Sequence, residues 1–82
     1  MYFIIKQSER ATEFLADKKK IKGQTWIADM TLAKEFSFRA EAEFACGELR
    51  RNDIRVVDEE QAKSIQEDME YAGVEANYNG DE

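Results

Sequence analysis

Residues 2–6, YFIIK, constrain the chain more than any other stretch. A run of aromatic and β-branched side chains reads as a strand. Two further runs follow within a few residues. TEFLAD, residues 12–17, reads as a second strand, although TEFLADKKK also fits a short helical turn. QTWIAD, centred on Trp26 and Ile27, reads as a third, with Gly23 as the turn residue before it. Together these runs suggest an antiparallel meander.

From Thr31 the pattern changes. TLAKEF is either a helical turn or an irregular lead-in. Ser37 is placed to cap a helix running from Phe38 to about Arg51. Phe38, Ala42, Ala45 and Leu49, with Cys46 beside them, form its core-facing stripe. Arg50 and Arg51 suit the negative end of that helix. DIRVV is a strand. Asp58 then caps a second helix, with Gln61 three residues on in the capping-box position and Glu59 and Glu60 in the first turn. Ala62, Ile65, Met69 and Ala72 make its buried stripe, and Gly73 is placed to end it. The expected fold is α+β: a small antiparallel sheet of three to four strands with two helices, in the order β-β-β-α-β-α.

The chain has 82 residues, enough for a single domain over 1–82 with little stability to spare, and a short flexible acidic tail is expected from about residue 74. It has no His and one Cys, so neither an internal disulfide nor a Cys/His zinc site is available. That usage suits a reducing cytosol. The only apolar run near the start is a few residues long, so neither a signal peptide nor a membrane span is expected, and the chain reads as cytoplasmic.

Catalytic chemistry finds little support. There is no His base and no glycine-rich phosphate loop, and Cys46 on an apolar helical face reads as a small hydrophobe. NYNGDE lacks the ligand run of a calcium loop. No enzymatic activity, metal or cofactor is expected.

Charge is unevenly placed. Residues 1–57 hold 11 basic and 9 acidic side chains, and residues 58–82 hold 1 basic and 9 acidic. Such an acidic end repels phosphates, so direct nucleic-acid binding is not expected. The basic cluster Lys18, Lys19, Lys20 and Lys22 reads as a solvated turn that protects a sheet edge, in preference to a phosphate-contacting loop with Trp26 stacking on a base.

Two surfaces remain as candidates for contact. On the second helix, Glu60, Ser64, Glu67 and Tyr71 lie opposite the buried stripe, with Glu70 at the flank and Tyr78 in the tail beyond. A tyrosine among carboxylates suits a partner rich in Lys and Arg, so Glu60, Glu67, Glu70, Tyr71 and Tyr78 are the expected partner-binding residues. On the first helix, Ala40, Phe44 and Gly47 lie roughly opposite the core stripe. Either another element of the same domain, such as the last helix, covers them, or they serve a partner or a second copy in a homodimer.

The order of features, an N-terminal YFIIK strand followed by WIADMTLAKEFSFRAEAEF, is similar to that of small proteins encoded by phages and mobile elements. Among these the chain resembles anti-CRISPR proteins, which are tiny, acidic and cytosolic. The resemblance covers residues 2–57 and transfers no site residue. It implies a mode of action: occupying a basic channel or a subunit surface of a CRISPR effector, with carboxylates standing in for phosphates. The expected function is therefore a phage-encoded inhibitor of a host nucleic-acid-handling complex; the alternative is a self-associating accessory or structural protein.

Overall fold

The computed structural model describes residues 1–8 and 11–68. Strand β1 spans Tyr2–Gln7, β2 Thr12–Leu15 and β3 Trp26–Ile27. A 3-10 turn at Met30–Leu32 leads towards helix α1, Arg39–Leu49, and strand β4, Ile54–Asp58, follows. Helix α2 occupies 59–68 of the described residues. The four strands form one antiparallel sheet in the order β3-β2-β1-β4. The architecture is the expected β-β-β-α-β-α order of an α+β fold.

The YFIIK run owes its unbroken apolar character to its position inside the sheet. Ile5 pairs with Phe14 on one side and with Arg55 on the other, so β1 has neighbours along both edges. Side chains alternate between faces along a strand. Phe3 and Ile5 join Phe14, Ala33, Val57 and Ala62, with Ile65 packed against them. Ile4 points the opposite way, to Phe36 and Ala42, with Ala45, Cys46 and Leu49 packed around it. Helix α2 therefore covers one face of the sheet and α1 the other. A central strand with helices on both sides has no solvent face, and it loses the apolar–polar alternation that a half-exposed strand shows. Each helix meets the sheet through a fully buried alanine, Ala42 in α1 and Ala62 in α2, where a small side chain lets backbone approach closely.

The lead-in to α1 is irregular, yet it completes the sheet. Beyond β2 the N-terminal half of β1 would have an open edge. The segment carrying Phe36 fills it: Tyr2 N–H donates to the Phe36 carbonyl at 2.7 Å, and Phe36 N–H returns the bond at 2.9 Å. Asp29 caps the 3-10 turn, accepting from Thr31 N–H at 2.9 Å and Thr31 Oγ1 at 2.7 Å. Met30 N–H donates to Gln66 Oε1 at 2.9 Å, which ties that turn to α2.

Helix α1 is shorter than the sequence pattern suggests. Phe38, not Ser37, is its N-cap, with extended backbone at φ −124° and no side-chain capping bond. Phe38 consequently falls out of the helical phase of Ala42, Ala45 and Leu49, and it is 65% exposed rather than part of their stripe. At the other end Arg50 adopts a left-handed conformation, φ 51° and ψ 45°, so the helix stops before it and does not reach Arg51.

The start of α2 follows the expected pattern. Gln61 N–H donates to Asp58 Oδ1 at 2.8 Å, and Asp58 N–H donates to Gln61 Oε1 at 3.1 Å, a reciprocal capping box. Asp58→Ala is expected to cost about 1 kcal/mol, read as a lower urea midpoint at unchanged slope. The expected positions Met69, Ala72 and Gly73, and the tail from about 74, lie outside the described residues. Among the described residues no helix is long and apolar enough to cross a membrane.

Candidate functional site

Helix α1 turns Ala42, Ala45, Cys46 and Leu49 to the sheet, so Ala40, Phe44 and Gly47 are carried to the outside. All three are exposed, and Phe44 is 72% exposed. The reading in which the last helix covers them does not hold, because α2 packs on the far face of the sheet. Phe44 stands beside an open recess of 500 Å³ lined by Lys34, Glu35, Phe36, Ala40 and Glu41. The Phe36 ring is itself buried and forms part of its wall, with Lys34 Nζ 5.4 Å from the ring centroid. The result is an aromatic knob next to an apolar hollow, rimmed by one lysine and two glutamates.

Glu60 and Glu67 are exposed on α2, seven residues apart and so on one side of that helix. Glu70, Tyr71 and Tyr78 lie outside the described residues. The acidic side of α2 and the Phe44 side of α1 point away from each other, on opposite faces of the sheet. One flat partner surface cannot engage both.

The lysine cluster is a turn. Asp17 Oδ1 accepts from Lys19 N–H at 2.9 Å, Lys20 Nζ reaches the Thr31 carbonyl at 3.4 Å, and Gly23 supplies the positive φ of 85° that the turn requires. Trp26 is half-buried on the α1 face, with Lys6 Nζ 5.3 Å and Arg51 Cζ 6.0 Å from its ring. Its ring is engaged within the fold, against Ile4 and its neighbours, and belongs to the rim of the core.

A groove that sequence reading missed runs along the other flank of α1. Arg39, Arg50, Arg51 and Arg55 line it, together with Glu43, Cys46, Gly47, Asn52 and Val56, around a volume of 680 Å³. A signal for it does exist in the sequence. Arg39, Glu43, Cys46 and Arg50 recur at helical spacing over three turns, which sets an arginine at each end of one stripe. Arg51 is fixed beside it by a two-pronged bond to Asp53, with Nε and Nη2 each 2.8 Å from a carboxylate oxygen. That bond holds the Asp53 carboxyl at a pKa of about 2, below the ordinary 3.8. Burial, reinforced by nearby Glu43, raises the Cys46 thiol, which disfavours the thiolate that nucleophilic chemistry needs.

The Arg51–Asp53 clamp has a testable pH signature. A carboxylate whose pKa is lowered on folding adds stability above its ordinary pKa, and that contribution is lost as pH falls towards the lowered value. The Asp53 carboxyl resonance should therefore titrate near pH 2, and Arg51→Gln should return it to the ordinary range.

Comparison with protein-family models, curated proteins and solved structures finds no match. Among the described residues no group of three or more His, Cys, Asp or Glu side chains is arranged to hold a metal ion.

Proposed function

We propose that this chain is a non-enzymatic binding protein that docks on a larger protein through the outer face of α1. The observation that carries the reading is Phe44, 72% exposed beside the hollow walled by Phe36 and Ala40. A large aromatic ring left in water adds little to the core, whereas aromatic rings supply the anchors of protein interfaces.

Charge favours a foreign partner over a second copy. Two chains of net charge −6 repel one another, and a basic protein surface attracts either. Docking through α1 turns Glu60 and Glu67 to the outside of the complex, where they repel an approaching phosphate backbone. Such a chain would inhibit by occupancy, in the cytoplasm of the cell that makes it. Occupying a subunit surface is one of the two modes of action implied by the resemblance to anti-CRISPR proteins, and it makes a CRISPR effector subunit the first partner to test.

The test is a phage challenge. Cells carrying an active effector, drawn from a panel of effector types, express either the wild-type chain or Phe44→Asp. Restored plaquing by wild type alone supports the reading. Unaltered immunity across the panel removes the effector as target, and equal restoration by Phe44→Asp removes α1 as the contact.

A further inference from the structure

We infer that the groove between α1 and β4 binds a phosphate group, carried on a nucleotide or at the end of an oligonucleotide.

The first argument is the segregation of residue types. The chain has five arginines and seven lysines. Four of the five arginines line this one groove, and no lysine does. An even scatter of positive charge for solubility would mix the two. Guanidinium groups differ from ammonium groups in presenting a planar fork of donors that fits two phosphate oxygens at once. The guanidiniums of Arg39, Arg50 and Arg51 stand here with the carboxylates of Glu43 and Asp53, while Arg55 Nε donates to Gln7 Oε1 at 3.2 Å, in a chain that is acidic as a whole.

The second argument is the backbone of Arg50. It is the one non-glycine residue with positive φ among those described. The position just past a helix end commonly takes a left-handed conformation, and glycine is the usual occupant because a side chain there is strained. Glycine would stabilise this turn, yet an arginine stands there with its side chain at the groove. Among the described residues Arg50 has no ion pair, whereas Arg39 pairs with Glu43 at 3.6 Å and Arg51 with Asp53 at 2.8 Å.

The third argument is access. Gly47 lies in the groove wall, and a Cβ built there would meet nothing within 4 Å. Inside a helix a glycine is unfavourable relative to alanine, and here it leaves the groove open beside Arg39, Arg50 and Arg51. The volume of 680 Å³ is that of a small-molecule site rather than of a long strand. The groove is thus sized for one nucleotide or a strand terminus.

The chain carries its own reporter. Trp26, its sole tryptophan, has the Arg51 guanidinium 6.0 Å from its ring, so a ligand that draws on Arg51 should alter its emission. The full chain is titrated at low salt with inorganic phosphate, ATP, a 5′-phosphorylated dT10 and polyglutamate. A saturable change with any phosphate probe that weakens as salt rises supports the site. Response to phosphate or ATP identifies a free ligand, and response to dT10 alone identifies a strand end.

Arg50→Gly should raise the melting temperature by about 4 °C through relief of strain, and it should weaken phosphate binding about tenfold. Gly47→Gln, which favours the helix but fills the groove, should weaken it without removing charge. The proposal is overturned by silence from every phosphate probe, by affinity unchanged in both variants, or by polyglutamate binding as tightly as phosphate. The last outcome would assign the groove to an acidic peptide. None of these readouts depends on Phe44, so the groove and the docking face stand or fall separately.

Discussion

Phe14→Ala is expected to leave the chain only marginally stable at 25 °C. Phe14 is fully buried in β2, with its ring edge-on to Phe3 at 6.3 Å between centroids and 72° between planes. Removing a buried phenylalanine costs about 3–5 kcal/mol, combining lost transfer energy with the cavity left behind. The site has little means to collapse. Phe14 is held by backbone pairing to Ile5 on one side and Ile27 on the other, and its cluster includes Phe3, Val57 and Ala62 from three other elements. A domain of this length has a stability near the low end of about 5–15 kcal/mol, so one such loss removes most of it. Leu15, the next residue, is only partly buried, on the α1 face. Leu15→Ala should cost clearly less. Urea unfolding followed by circular dichroism measures both. Equal costs would mean that the α2-side core is not the dominant one.

The core was legible in the sequence where side chains and backbone agree. YFIIK, DIRVV and the Asp58–Gln61 box each carry local signals, and local geometry satisfies them. Two things were not legible, for different reasons. The phase of α1 depended on which residue leaves extended backbone first. Ser37 and Phe38 compete for that role, and the pairing of Phe36 with Tyr2 keeps the chain extended for longer than capping preference alone suggests. The arginine groove joins residues 39, 50, 51 and 55, and its last member comes from β4. Only the docking of α1 beside that strand makes Arg55 and Val56 of β4 part of the groove wall, with the Arg55 guanidinium turned to Gln7. Of the acidic contact residues, Glu60 and Glu67 are on the surface as periodicity required. Periodicity along one helix could not reveal that their face is opposite that of Phe44, since this follows from α1 and α2 packing on different sides of the sheet.

Phe44→Asp is expected to weaken partner binding by at least about tenfold and commonly a hundredfold, the cost of about 1.4–3 kcal/mol associated with losing an aromatic anchor and burying a charge in its place. The fold should be untouched. Phe44 is 72% exposed, and surface substitutions of this kind change stability by about 0.5 kcal/mol or less. Binding and stability should therefore separate in one variant, which a core residue such as Phe14 cannot achieve. Charge reversal on the other face, Glu60→Lys with Glu67→Lys, provides the contrast. If the acidic side of α2 only repels phosphates, that pair changes inhibition while leaving affinity for the partner protein nearly unchanged. If that side is itself the contact, the pattern inverts: the glutamate pair abolishes binding and Phe44→Asp does not. Sedimentation at micromolar concentration closes the remaining route. A wild-type dimer that becomes monomeric in Phe44→Asp would make a second copy the natural occupant of the α1 face, and a wild-type monomer leaves that face free for a partner.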